Sequence, residues 1–412
     1  MSLGRLQVSL RFDAAKPVIP AGTLAADGRA MHFSWNDAFL ASGLHLSPFR
    51  LPLKSGLQSF GFEARMETFG LFEDAMPDAW GRRLMDRHFQ KKLGRKPSAI
   101  ERLAYLGGHA MGVMTFAPAE EDIEKAHEIL DLAGLSQNAR NFFDDTPEEV
   151  LPDLVRAGSP SGGARPKALI GLPSAGRKEK GVHLGDGDLP EGWEHWIVKF
   201  DSKADSKDAG ALEAAYADMA ERAGADMPPH RLLTTKAGRF FAVQRFDRPA
   251  PGKRLHMHTA AGLLHADFRT PGTEYEMLFK LTAALTRDHA QARELFRRVA
   301  LNVLACNRDD HLKNFSFLMD ERGAWRLSPL YDFTFHEGPG GWHTLTVAGE
   351  GQNPGLEDLR HLAKQAQLRP KEAEEILDQV RGAVAQLPVI AAEAGVLKKT
   401  VKTAMDRLKK IG

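Results

Sequence analysis

The 412-residue chain has a single cysteine, Cys306. That excludes an intrachain disulfide framework and any metal site built from several thiolates, and it suits a reducing cytosol. The chain also lacks a charge of one sign. Its 55 basic and 54 acidic residues leave a formal charge of +1, so no bulk field draws it to nucleic acid or anionic lipid, and such a partner must meet a local patch. No stretch of about 18 apolar residues occurs, and MSLGRLQVSLRFDAAKP holds no long apolar segment of the signal-peptide kind, so the expectation is a soluble cytoplasmic protein without a membrane partner. Aromatic residues, 8% of the total, are dispersed and build no base-stacking platform. The sixteen histidines contain no H-x-x-x-H ligand pair. There is no internal repeat of 20 to 50 residues and no low-complexity tract. What is present, 43% hydrophobic and 26% charged residues, is the composition of a globular chain long enough for two or three cores.

The first hundred residues alternate short β-like runs with turn residues: LQVSLRF, then a hairpin pattern in AADGRAMHFSW around Asp27 and Gly28, then LPLKS. From about Phe69 the pattern turns helical, and MPDAWGRRLMDRHFQKKLG closes on Gly94, a residue suited to a helix C-terminus. FAPAEEDIEKAHEILDLAGL reads as a helix, acidic at its start, joining two units. After the Gly/Ser/Pro-rich AGSPSGGARPK, KALIGL and EHWIVKF read as strands, GALEAAYADMAERAG as a helix, and HRLLTTKAG and RFFAVQRFD as strands. From about Leu263 onward a 3.6-residue period prevails, interrupted once.

That interruption is NRDDHLKN, residues 307 to 314. It follows ELFRRVALNVLAC, which is apolar on more than one face and predicts a buried helix. FSFLM and AWRLS then read as a hairpin turning at Asp320 to Gly323, which sends Asp332 back toward Asn314. This order resembles the catalytic centre of protein kinases, H-R-D-L-x-x-x-N followed by D-F-G. Arg308, Asp309 and Asn314 keep its spacing with Asn307 in place of the histidine, and Asp332-Phe333 is followed by Thr334 in place of glycine. Hard oxygen ligands on Mg²⁺ and one carboxylate aimed at the attacking hydroxyl are what phosphoryl transfer requires. Asn314 and Asp332 suit the metal, and Asp309 the hydroxyl. A rival reading is a metal-dependent hydrolase with Asp309, Asp310, His311 and Asp332 as ligands.

Upstream, Gly158, Gly162 and Gly163 precede a strand, a composition that lets backbone N–H groups approach phosphates. The pattern matches neither G-x-G-x-x-G nor G-x-x-x-x-G-K-[ST]. Lys199 ends an alternating apolar run, as the lysine of V-A-I-K does. Glu213 is the carboxylate expected to hold it, with Glu221 as fallback. Gln244, Arg245 and Phe246 form a hinge whose backbone could read adenine. His256 reads as structural, and the C-terminal GVLKKTVKTAMDRLKKIG, six basic residues to one acidic, as a solvated helix face.

As an ordered set, GGARPKALI, WIVKF, QRFDR, NRDDHLKNFSF and WRLSPLYDF resemble the HipA-type toxin serine/threonine kinases, and AMPDAWGRRL is similar to that family's Leu-Pro-Asp/Glu segment. The resemblance implies an α+β, bilobal, protein-kinase-like fold: a small β-rich N-terminal subdomain over 1–110, a nucleotide-binding lobe over 111–247 and a helical catalytic lobe over 248–412. It implies an ATP- and Mg²⁺-dependent kinase acting on a protein, commonly an aminoacyl-tRNA synthetase. A small helix-turn-helix antitoxin would be its partner, with DNA met only through that antitoxin. Carried onto this chain, Asp309 is the catalytic aspartate, Asn314 and Asp332 the Mg²⁺ ligands and Lys199 the ATP lysine. Gly162, Gly163, Ala164, Arg165, Pro166 and Lys167 line the nucleotide site with Gln244, Arg245, Phe246, His311 and Tyr331. Self-silencing by phosphorylation of a loop serine falls on Ser159 or, next to it, Ser161. The loop departs from the family pattern by an additional glycine and by Arg165 in place of glutamine. The alternative from another class is a non-catalytic HipA-like binding or co-repressor partner.

Overall fold

A computed structural model describes residues 4–62, 66–119, 129–144, 152–160, 162–176, 181–185, 187–202, 205–267 and 273–409. The N-terminal run folds as an antiparallel sheet of β1 (Arg5–Leu10), β2 (Ile19–Ala26), β3 (Ala30–Trp35), β4 (Leu57–Gly61) and β5 (Met114–Ala117), in the order β4-β3-β2-β1-β5. Alternation decides its faces: Leu6, Val8 and Leu10 are buried while Arg5 and Gln7 are exposed. The hairpin at Asp27-Gly28 forms as the pattern predicts. Asp27 Oδ1 accepts from the backbone N–H groups of Arg29 and Ala30, both at 2.8 Å, and Gly28 takes φ +85°, open to glycine at little cost.

Two expectations are corrected here. LPLKS is not a strand: the ladder begins only at Leu57, because the Pro52 carbonyl is already committed to Trp35 Nε1 at 2.9 Å and Gln58 Nε2 at 3.0 Å. FAPAEEDIEKAHEILDLAGL is not one helix either. Phe116 and Ala117 belong to β5, opposite Val8 and Gln7 of β1, residues 120–128 lie outside the described residues, and Leu132 opens a helix behind the Asp131 cap. The first sheet therefore draws on residues beyond 110.

The second sheet comprises β6 (Ile129–Leu130), β7 (Lys167–Pro173), β8 (Val182–Leu184), β9 (Trp193–Lys199), β10 (His230–Thr235) and β11 (Gly238–Gln244), in the order β10-β11-β9-β7-β8-β6. β7 is buried along nearly its whole length because both faces are covered. On one side Leu132, Leu135 and Ala139 of the helix Leu132–Phe143, with Trp80 and Leu84, share a core with Ala168 and Ile170. The predicted helix is Ala209–Arg222, buried through Ala215, Tyr216 and Met219.

The C-terminal body is helical. Its central rod, His289–Leu304, buries Leu295, Phe296 and every residue from Arg298 to Leu304, as its all-round apolar pattern predicts. The hairpin Ser316–Met319 and Trp325–Leu327 forms with Gly323 at φ +83° and is joined by the strand His256–Thr259. His256 is fully buried with its Nε2 2.9 Å from the Leu46 carbonyl, a structural role. Among the described residues no helix is long and apolar enough to cross a membrane.

Candidate active site

β7 and β9 pair antiparallel with Lys167 directly opposite Lys199, so two lysines emerge at one end of the second sheet. Lys199 Nζ donates to both Glu213, from the helix Ala209–Arg222, and Asp332. Glu221 faces His230 instead, with 3.8 Å between Oε1 and Nδ1. Asp332 sits at φ +55°, a left-handed conformation uncommon outside glycine, and this turns its carboxylate to the lysines. The charges hold one another. Burial alone would raise the Asp332 carboxyl, but Lys199 and Lys167 hold it well below its ordinary range. Burial opposes the charge on Lys199, yet Asp332 and Glu213 raise its pKa overall. Lys167 is depressed, chiefly by burial, with Lys199 adding to the effect and Asp332 resisting it.

The octet leaves the rod through Asn307, whose Nδ2 donates to Asn302 Oδ1 at 2.9 Å. Arg308 N–H then donates to the His336 carbonyl at 3.0 Å, tying the loop to the segment after Asp332. The side chain of Asp309 is 52% exposed, while that of Asp310 is fully buried. Asp310 Oδ2 accepts from Tyr275 Oη at 2.6 Å and lies 2.8 Å from His343 Nδ1, and its Oδ1 accepts from Thr344 N–H at 2.8 Å. His311 Nε2 lies 3.9 Å from Asp309 Oδ1, and the same histidine helps depress Asp332. Asn314 Nδ2 donates to the Asp309 carbonyl at 2.7 Å, which keeps its amide oxygen as the acceptor of the group. Tyr331 Oη donates to the Lys313 carbonyl at 2.5 Å, and its ring lies 5.6 Å from that of Phe246.

The glycine-rich loop is moored by residues to which no sequence motif gives a role. Asp78 Oδ2 accepts from Gly163 N–H at 3.0 Å, and Asp78 Oδ1 accepts from Lys313 Nζ. One carboxylate from the N-terminal unit therefore ties the loop to the octet. Burial would raise that carboxyl, but Lys313 and the Gly163 N–H lower it. Trp80 N–H donates to the Gly163 carbonyl at 3.2 Å and Trp80 Nε1 to the Lys167 carbonyl at 2.8 Å. Gly163 stands at φ +89°, and a Cβ there would collide with Lys167 Nζ. The one sequence signal for this mooring was the AMPDAWGRRL segment; Lys313 lay inside the octet without a role.

Other candidates lie apart from the cleft. Arg245 turns inward and is paired with Asp247, Nε to Oδ1 at 3.0 Å and Nη2 to Oδ2 at 2.9 Å. The backbone N–H groups of Gln244 and Arg245 already donate to Pro229 and His195, at 2.8 and 2.9 Å. Arg165 pairs with Asp205 at 2.5 Å on the surface. Ser159 is only 1% exposed, at the end of the helix Pro152–Gly158, and its Oγ has no partner among the described residues. Ser161 lies outside the described residues. The hydrolase ligand set is not assembled, because Asp310 is spent on Tyr275, His343 and Thr344. Among the described residues the one group with metal-ligand proximity is Asp218, Glu221 and His230, elsewhere on the molecule.

A sheet ending in two lysines, a helical body carrying the octet, and Asp332 between them define a two-lobed, protein-kinase-like fold. The model of the HipA-like C-terminal domain matches residues 159–387, and that of the HipA N-terminal domain matches residues 16–117. The chain belongs to the HipA family. A solved structure from Shewanella oneidensis MR-1, the toxin-antitoxin system HipA, HipB and its operator DNA, resembles it over 98% of this chain and 95% of that one, with TM-score 0.68 and 17% identity; this likeness concerns the fold. A Haemophilus influenzae protein named "Putative kinase" is 34% identical over 102 residues, 23% of this chain and 30% of that relative. The Sinorhizobium fredii "Putative kinase Y4dM" is 31% identical over 153 residues, 33% of this chain and 36% of that relative. The matched segments thus span about a third of each curated relative.

Proposed function

We propose that this protein is an ATP- and Mg²⁺-dependent serine/threonine protein kinase, acting as the toxin of a toxin-antitoxin pair. The observation that carries the reading is the convergence of Lys199, Glu213 and Asp332, from the sheet, the helix behind it and the return after the octet, on one cleft edge. The donor set fits the ligands: two lysines and glycine N–H groups for a polyphosphate, and the oxygens of Asn314 and Asp332 for a hard cation that keeps several waters. Bound Mg²⁺-ATP would supply the transferable phosphoryl group and neutralise its developing charge. Asp309, exposed and next to the cleft, would accept the proton of the attacking hydroxyl. Asn314 would hold the Asp309 backbone in place through its amide, and Lys199, kept cationic by its two carboxylates, would orient the phosphates. At the adenine end the N–H groups of Gln244 and Arg245 are already engaged, so Phe246 and Tyr331 would supply the contact there as an aromatic wall.

The partner would be a small helix-turn-helix antitoxin and the substrate a translation protein such as an aminoacyl-tRNA synthetase, with DNA met only through the antitoxin. Support for these rests on family membership and on the assembly that the Shewanella oneidensis structure contains. The deciding experiment is phosphoproteomics after brief expression of the wild type against Asp309→Ala. Phosphosites that appear only with the wild type are expected. Indistinguishable phosphoproteomes, with purified wild type also inert toward Mg²⁺-ATP, would favour the non-catalytic binding role.

A further inference from the structure

Arg308 is 0% exposed and pairs with no carboxylate among the described residues. Its Nη1 donates to the Gly341 carbonyl, but its Nε and Nη2 have no hydrogen-bond partner among the described residues. Arg407, on the C-terminal helix Lys398–Leu408, likewise has a buried Nε without a hydrogen-bond partner and forms no ion pair among the described residues. The two guanidinium groups converge: a Cβ built on Gly341 would lie 3.7 Å from Arg308 Nη1 and 3.6 Å from Arg407 Nη2. The thiol of Cys306 faces both, a weak acceptor and, with burial raising its pKa, no counter-charge. Gly338, Gly340 and Gly341 all take positive φ and, with Arg407, line an open cavity of about 520 Å³. The carboxylate on its rim, Glu337, is exposed and contacts neither arginine among the described residues. Two like charges packed together without a counter-ion oppose folding, and a buried donor that is unsatisfied points to a missing acceptor.

We propose that Arg308, Arg407 and the Gly338–Gly341 turn form a second anion site, separate from the nucleotide cleft, that takes a tetrahedral phosphate group. The fork of a guanidinium matches two phosphate oxygens, and a run of positive-φ glycines presents backbone to an anion at close range. Arg308 immediately precedes Asp309, and its N–H holds the His336 carbonyl. A phosphate bridging Arg308 to Arg407 would therefore tie the octet, the return after Asp332 and the C-terminal helix together. The phosphate could be the free ion or a phosphate ester on this chain.

Isothermal titration of inorganic phosphate into the purified full-length protein tests the site independently of any kinase activity. Binding is expected in the wild type, to be retained in Lys167→Met, to weaken at least tenfold in Arg407→Gln, and to recover in part in Arg407→Lys. Arg407 is half-buried on a terminal helix, so these variants avoid the folding risk of replacing Arg308. Absence of phosphate binding in the wild type would overturn the proposal, as would binding that survives Arg407→Gln and is lost in Lys167→Met, since the anion would then sit in the nucleotide cleft. A parallel titration after incubation with Mg²⁺-ATP separates the sources. Unchanged affinity assigns the site to the free ion, and loss of the Arg407-dependent binding assigns it to a phosphate carried by the chain.

Discussion

Asp309 and Asp310 are neighbours in the chain and opposites in their surroundings: half of the Asp309 side chain is exposed, whereas Asp310 is sealed in by Tyr275, His343 and Thr344. A one-residue slip would exchange a solvent-facing carboxylate for a structural one. Asp309→Asn should cut phosphoryl transfer by about 10²- to 10⁴-fold with an unchanged melting temperature. Asp310→Asn should cost stability, about 1–3 kcal/mol, from a disturbed buried network. Turnover and thermal melts on both variants check this; a stable, inactive Asp310→Asn beside an active Asp309→Asn would place the register one residue late.

Asp332 sets the charge balance of the cleft. Asp332→Ala should abolish phosphoryl transfer while leaving the circular dichroism spectrum intact, because Lys199 keeps Glu213. Chelation of Mg²⁺ should reproduce the loss in the wild type and be reversed by its return. Wild-type turnover in Asp332→Ala would sink the metal-ligand role.

Asp78 lies in the N-terminal unit, yet it moors the glycine loop and Lys313. A hydrogen bond to a charged group contributes about 1.5–3 kcal/mol. Asp78→Asn should therefore raise KM for ATP by roughly tenfold or more, with a smaller effect on kcat. An unchanged KM would mean that the mooring has no bearing on nucleotide binding.

Burial drives His256 down to about 3. In the unfolded chain the same imidazole titrates near its ordinary value of about 6.5. The unfolded state then binds the extra proton below that pH, so this contribution to stability is present above about 6.5 and is lost as pH falls toward 3. His256→Gln should make the decline in stability between pH 6 and 4 shallower by up to about 1.4 kcal/mol per pH unit. Denaturant midpoints across that range measure it, and an unaltered slope would contradict the assignment.

If the loop modifies itself, as proposed for this protein, Ser159 is the expected site; its Oγ is buried where a phosphate, with roughly −1.5 to −2 charges, cannot remain. Incubation with Mg²⁺-ATP should add one phosphate at Ser159 more than at Ser161, slowly, and should then lower ATP affinity as the loop leaves its place beside Trp80. Intact-mass and peptide mass spectrometry, with Asp309→Ala as control, decide between the serines. An active enzyme that stays unmodified would show that this loop is not its switch.

Much of the molecule follows from local pattern alone. An alternating apolar run marked β9, short β-like runs marked β1 and β11, the all-round apolar run marked the rod His289–Leu304, and the five-residue spacing from Asp309 to Asn314 marked the octet, because these signals are written by the same residues that form the structure. The misplaced pieces, LPLKS and the segment at Phe116, were ones whose state is set by distant partners: the Pro52 carbonyl claimed by Trp35 and Gln58, and a β5 strand claimed by β1. The site divides the same way. Sequence order supplied Lys199, Glu213 and Asp332 as candidates. Only the tertiary structure brought Lys167 opposite Lys199, set Asp78 between Gly163 and Lys313, turned Arg245 into the core and drew Arg407 beside Arg308. Each of these pairings depends on chain segments meeting across tens to hundreds of residues, and charge, hydrogen bonding and burial there are properties of the meeting rather than of either segment.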